Sequence, residues 1–170
     1  MEMVIFGTIS YDDIETPSEK ASGVLGGSAT HSGLASSFHL RPPPGHSPRI
    51  GVVSAVGEDF STYHQMVLED AGMNLAGVAL RKGETSTRSV RFTETMSRSE
   101  ITNTNMNVLE EFIPVLPKAW AAPDVLLCAS SMPRMQIEVL KQCPDAKINA
   151  LDTSKIWIEG EFEDLSRAMR

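Results

Sequence analysis

Leu25-Gly26-Gly27-Ser28-Ala29-Thr30-His31-Ser32-Gly33, a paired glycine running into a helix of small residues, decides how the rest of the chain is read. Upstream of it an apolar stretch ends in Tyr11-Asp12-Asp13. Glycine lets a ligand approach the main chain with no Cβ in the way, and the N–H groups of a helix start can bind hydroxyl or anionic oxygens. The stretch reads as a cradle for a small polar ligand facing Asp12, or as a tight strand-to-helix turn. A Gly-Gly pair alone does not separate the two.

Working outward, residues 3–9 are apolar and rich in β-branched side chains, broken at Gly7-Thr8, as expected for a strand buried on both faces and central in its sheet. Residues 28–40 predict a helix capped by Ser28 or Thr30, with Ala29, Leu34, Ala35 and Phe38 turned to the core. The prolines of Arg41-Pro42-Pro43-Pro44-Gly45-His46-Ser47-Pro48 exclude helix or central strand and make this a surface loop. Residues 49–56 form a second buried run. A helix over 61–71 follows, capped by Ser61, stopped by Gly72, with Tyr63, Met66, Val67 and Ala71 on its packed face.

Residues 85–95 alternate Ser, Thr and Arg with Val and Phe, the pattern of an exposed antiparallel ribbon. Residues 124–129 predict a third buried strand, Pro133 opens a helix with Met135, Val139, Leu140 and Cys143 on one face, and residues 147–151 predict a fourth strand ending at Asp152-Thr153. Residues 161–170 read as helical. Strands alternating with helices imply an α/β fold, a parallel sheet with helices on both faces. Ligands in such folds sit beyond the carboxyl ends of the strands, so Asp12, Gly26, Gly57 and Asp152 are expected at one rim.

Composition narrows the function classes. The chain has 170 residues, 41% hydrophobic and 22% charged, which predicts one globular domain with a real core. A net charge of −7 and a pI near 5.1 argue against a nucleic-acid surface, which needs clustered Lys and Arg. No apolar run approaches the ~20 residues of a membrane span, and Glu2 stands where a signal peptide carries positive charge, so a cytoplasmic location is expected. Cys128 and Cys143 are too isolated for a disulfide framework or zinc site and read as buried thiols. A dinucleotide-binding oxidoreductase fits poorly, because Gly7 stands alone after the first strand where Gly-x-Gly-x-x-Gly is needed.

Several blocks together are more specific than the glycine pair. Gly7-Thr8-Ile9-Ser10-Tyr11-Asp12, Leu25-Gly26-Gly27-Ser28-Ala29-Thr30, Val56-Gly57-Glu58-Asp59-Phe60 and Leu68-Glu69-Asp70-Ala71-Gly72-Met73 resemble, in order and spacing, the amino-terminal half of the ribokinase-like (PfkB) carbohydrate kinases. The likeness continues through Thr85-Ser86-Thr87-Arg88-Ser89, Asn105-Met106-Asn107-Val108 and Leu151-Asp152-Thr153-Ser154-Lys155-Ile156-Trp157-Ile158-Glu159, and so covers the whole chain.

The resemblance implies a ribokinase-like, Rossmann-like parallel sheet as a single incomplete domain, with a small β lid from approximately 10–25 and 85–107. It implies ATP-dependent phosphorylation of a sugar or nucleoside hydroxyl, with ATP and Mg as the family's cofactors. Asp12 would accept hydrogen bonds from substrate hydroxyls, Gly26 and Gly27 would bring backbone to the same substrate, and Ser28, Asn107 and Asp152 would support them.

His31 stands where many members have an asparagine, and reads as a substrate contact or a helix-packing residue. Asp152 reads as lying near the phosphate side or as a cap for Thr153 or Ser154. The family's catalytic Gly-Ala-Gly-Asp-type stretch and nucleotide-binding half have no counterpart in these residues. The resemblance therefore implies no catalytic and no metal-binding residue here, no ATP or Mg held by this chain alone, and no phosphoryl transfer by it alone. The alternative is a truncated, non-catalytic protein that binds a sugar or another subunit, such as a second copy through the lid. An open sheet edge also predicts association or poor solubility.

Overall fold

The computed structural model describes residues 1–170. In chain order the elements are β1 (Met3–Phe6), β2 (Ser10–Glu15), β3 (Lys20–Gly26), α1 (Ser28–Leu40), β4 (Ile50–Gly57), α2 (Thr62–Asp70), β5 (Met73–Arg81), β6 (Ser86–Phe92), β7 (Ser99–Asn105), β8 (Val125–Cys128), α3 (Pro133–Gln142), β9 (Ile148–Leu151), α4 (Lys155–Gly160) and α5 (Phe162–Ala168). Two sheets result. The first is five-stranded and parallel, in the order β5-β4-β1-β8-β9, with β1 in the centre as its uniform apolar character demands.

Side-chain alternation divides the core between the faces of this sheet. Val4, Phe6, Val53, Leu126 and Cys128 pack under α3 and the segment that carries Phe112 and Trp120. Ile5, Ile50, Val52 and Val56 pack under α1 and α2 through Ala29 and Leu68. Trp120 lies flat on Gly51 and Gly77, where a Cβ at either glycine would come within 2.8 Å of its ring. The helices-on-both-faces expectation therefore holds.

The second sheet gathers the two polar stretches in the order β3-β2-β6-β7. β2 pairs antiparallel with β3, and β6 antiparallel with β7. At the centre β2 and β6 run parallel, with Asp12 opposite Arg88. The expectation of a purely antiparallel ribbon is corrected here: two hairpins are joined side by side through their parallel inner strands.

Other expectations also need correction. β5 is a further parallel strand the hydrophobic pattern does not announce. It lies on the sheet edge, of its residues Met73 and Gly77 alone are buried, and Leu80 is 72% exposed. α4 likewise goes unannounced, having no buried residue. On α1 the inward residues are Ala29, Thr30 and Gly33, while Phe38 is 86% exposed and Leu34 is also exposed.

The reason is distance: a Cβ on Gly33 would lie 2.3 Å from Met73 Sδ, so only small residues fit under α1. On α2 the buried residue is Leu68, and Tyr63 and Met66 point outward. Its caps are as expected, with Ser61 Oγ accepting from His64 N at 3.2 Å and Gly72 at φ +95°. Both cysteines are buried free thiols. No helix is long and apolar enough to cross a membrane.

Candidate functional site

The glycine pair sits where β3 leaves the second sheet and α1 begins on the first. Gly27 adopts φ +102°, and a Cβ there would lie 2.3 Å from Thr8 O, so glycine is required on both counts. Thr8 and Ser28 bond reciprocally: Thr8 N donates to Ser28 Oγ and Ser28 N to Thr8 Oγ1, each at 3.0 Å. Ser28 Oγ also donates to Ser130 O at 2.8 Å, and Ala29 N to Thr8 O at 2.9 Å.

Neither Ser28 nor Thr30 caps α1. The residue before the helix is Gly27, which has no side chain for the task, and Ser28 instead ties the ends of β1 and β8 together. The amides of Ser28 and Ala29 are already engaged by Thr8, so the turn is braced from within the chain.

Asp12 lies inside β2 rather than beyond a strand end, and is 4% exposed. Its Oδ1 accepts from Ser10 Oγ at 2.7 Å, and its Oδ2 pairs with Arg88 Nη2 at 3.0 Å. Gly26 flanks the same carboxyl, and a Cβ there would lie 2.5 Å from Asp12 Cγ. The structure therefore brings Asp12 and Gly26 into direct contact, with Gly27 one residue on. His31 is exposed on the first turn of α1, its N–H donating to Gly27 O at 3.0 Å, so it is not a buried packing residue.

Asn107 and Gly57 belong to a separate network. Thr85, fully buried, donates from both N and Oγ1 to Asp59 Oδ1 at 2.7 Å and accepts from Gly57 N at 3.0 Å. Asn107, at φ +48°, donates from Nδ2 to Thr85 O at 3.0 Å, and Glu58 N donates to Gly83 O at 2.9 Å. The Gly57-Glu58-Asp59 block thus clamps the segment by which the chain passes from the first sheet to the second. A second crossing contact comes from Tyr11: its Oη accepts from Ser61 N at 3.0 Å and lies 3.3 Å from His64 Nδ1.

Asp152 follows β9 on the far side of the sheet. Its N donates to Cys128 O at 2.9 Å and its O accepts from Gln136 Nε2 at 3.0 Å, whereas its side chain is exposed and caps nothing. Gln136 is fully buried and also donates to Ala129 O at 3.1 Å, fastening the ends of β8 and β9. Asp12, Gly26 and Gly27 therefore form one cluster, while Gly57 with Asn107, and Asp152, belong to others.

Arg88, Asp59, Thr85 and Gln136 have no role in the sequence reading. Arg88 and Thr85 stand inside one of the blocks quoted above, but their partners are distant in sequence.

Elsewhere on the second sheet an ion-pair network gathers on Glu15. Glu15 accepts from Lys20 and Arg91, each at 3.1 Å, and these bonds hold its carboxyl below the usual glutamate range. A hollow of about 180 Å³ beside it is lined by Asp13, Glu15, Lys20, Ser89 and Arg91, and one of about 460 Å³ by Gln65, Glu69, Met73 and Asn74. Neither reaches Asp12. No three His, Cys, Asp or Glu side chains converge as metal ligands.

No protein-family profile and no curated protein sequence matches the chain. Its fold does have solved counterparts. The ribokinase of Giardia lamblia matches with a TM-score of 0.73 at 16% identity, over 96% of this chain and 58% of that one. The nucleoside kinase of Methanocaldococcus jannaschii, an archaeal member of the ribokinase family, matches with a TM-score of 0.71 at 15% identity, over 99% and 58%. The ribokinase of Cryptococcus neoformans, solved in complex with ADP, matches with a TM-score of 0.68 at 14% identity, over 91% and 50%. The fold is ribokinase-like, and the chain spans about half the length of the structures it matches.

Proposed function

We propose that this chain is the substrate-binding side of a ribokinase-type kinase, a protein that phosphorylates a hydroxyl of a sugar or nucleoside at the expense of ATP. The observation that carries the reading is the contact between Asp12 and Gly26 at the base of the second sheet, in a fold whose counterparts are ribokinases and a nucleoside kinase. A buried carboxylate held beside bare backbone is suited to orient vicinal hydroxyls, because charge-assisted hydrogen bonds fix both distance and direction.

In this reading Asp12 and the Gly26-Gly27 backbone position the substrate, His31 borders it from α1, and Ser28 holds the turn. The second sheet acts as a lid that excludes water. ATP would supply the phosphoryl group, and the residues that bind it and take the proton from the substrate hydroxyl would lie outside these 170.

A second reading has its own support. Both Asp12 oxygens already have partners within the chain, which suits a non-catalytic protein that binds a sugar weakly or pairs with another subunit. The edges of the second sheet, β3 and β7, are open to a second copy.

Titration of the chain with ribose, fructose and adenosine tests the site. Binding that Asp12→Ala weakens about tenfold or more supports it; binding that Asp12→Ala leaves unchanged removes it. Assay of ATP turnover by the chain alone is expected to show none in either reading; phosphorylation of any of these acceptors would eliminate the non-catalytic reading and also the assignment of the catalytic residues outside these 170.

A further inference from the structure

Two local rules are broken side by side where α2 ends and β5 begins. Helices favour cations in their last turn, because the C-terminal carbonyls leave that end partly negative. α2 has no basic residue there and ends on Glu69-Asp70. Arg41 Nη2 donates to Asp70 O at 2.5 Å, but no cation pairs with the Glu69 carboxylate. Just beyond, β5 is irregular: Asn74 lies opposite Gly51 and Gly77 opposite Val53, so Leu75 and Ala76 stand against Val52 alone. Asn74 Oδ1 braces this bulge by accepting from Ala76 N at 2.9 Å. Bulges re-aim side chains and are common beside functional sites.

Between these two features lies the hollow of about 460 Å³, a volume within the roughly 300–1,000 Å³ of small-molecule sites. Pro48, Met73 and Leu75 give it an apolar wall, and Gln65, Glu69 and Asn74 supply its polar groups. Gln65 Nε2 donates to Glu69 Oε1 at 3.0 Å, which leaves Gln65 Oε1 and Glu69 Oε2 as acceptors that no donor of the chain takes. No lysine or arginine lines it. The hollow on the second sheet differs in this respect, since Lys20 and Arg91 there already meet Glu15.

We propose that this hollow is a second ligand site, one that takes a small molecule carrying a primary ammonium group on an apolar body. The ammonium donates to Glu69 Oε2 and Gln65 Oε1, and its charge is further favoured by the negative end of α2. The apolar body leaves water against Met73 and Leu75. The site lies at the β5 edge of the first sheet, and none of its residues belongs to the Asp12 cluster. It therefore stands independently of the sugar-site reading.

Titration of the full chain with benzylamine, benzyl alcohol and benzoate, followed by the NMR signals of the backbone amides, tests this. The expected result is shifts concentrated on residues 65–76, with benzylamine bound at least about tenfold tighter than the other two. Glu69→Gln, at an exposed position, should bring benzylamine down to the affinity of benzyl alcohol. Glu19→Gln makes the same change of net charge at an exposed position by the second sheet, and should leave the preference intact. Benzyl alcohol binding as tightly as benzylamine overturns the proposal. So does a preference that survives Glu69→Gln or is lost equally in Glu19→Gln, and so does benzylamine that fails to bind or shifts amides over the whole acidic surface.

Discussion

Asp59 accepts two hydrogen bonds from Thr85, one from the backbone N and one from Oγ1, on the same carboxylate oxygen and each at 2.7 Å. Thr85 is fully buried, and its hydroxyl also receives Gly57 N. Asp59→Ala strands a buried N–H and hydroxyl, and Thr85→Val strands the Gly57 amide. Each is expected to lower stability by about 1–3 kcal/mol. Thr85→Ser, which keeps the hydroxyl, should cost distinctly less. The midpoint of urea unfolding at constant m-value measures all three.

The two glycines of the turn should tolerate no side chain. Gly26→Ala presses on Asp12 Cγ, and Gly27→Ala meets Thr8 O while holding φ +102°. Overpacking and a strained backbone each cost about 1–3 kcal/mol. Gly160→Ala, at the end of α4 with open space around it, is the control and should be neutral or stabilising by up to about 1 kcal/mol. Equal unfolding midpoints for all three would contradict the account of the turn.

Burial pushes the Cys128 thiol up to about 12, and the neighbouring Cys143 adds to the shift. An unfolded cysteine ionises near ~8.5. The raised folded value means that the contribution of Cys128 to stability is complete below that pH and is lost as pH rises toward the folded value. Stability should therefore fall between pH 8.5 and higher pH, and Cys128→Ala should flatten the fall. Both thiols should react with a disulfide reagent at pH 8 only after denaturant is added.

Glu15 shows the opposite sign. Hydrogen bonds from Lys20 first and Arg91 second hold its carboxyl below the ordinary value, so their contribution is present above that value and lost as pH falls through the folded one. In a carbon-detected NMR titration, the Glu15 carboxyl should titrate below a free glutamate, and Lys20→Ala or Arg91→Ala should each bring it part of the way back.

Much of this architecture is legible locally. The bounds of α1 follow from the glycine before it and the proline loop after it, Ser61 and Gly72 bracket α2, and Pro133 opens α3. What stays hidden depends on distance in sequence or in space. β5 lacks a clean pattern because an edge strand sees core on part of its surface alone, and Phe38 looks like a core residue until the close approach of Gly33 to Met73 is known.

At the site, the contact of Asp12 with Gly26 agrees with the pairing suggested by a carboxylate and a glycine turn. Arg88 does not show itself, because its partner lies 76 residues away and nothing local couples them.

The chain enters the second sheet twice, leaving the first after β1 and again after β5, and the hairpins it makes there meet through β2 and β6. Each hairpin is local and can form early. Their union closes a loop of some 76 residues and waits for the first sheet to bring both exits together. The β2–β6 pairing is therefore expected to form after the transition state for folding. A substitution at that seam should change how fast the protein unfolds far more than how fast it begins to fold.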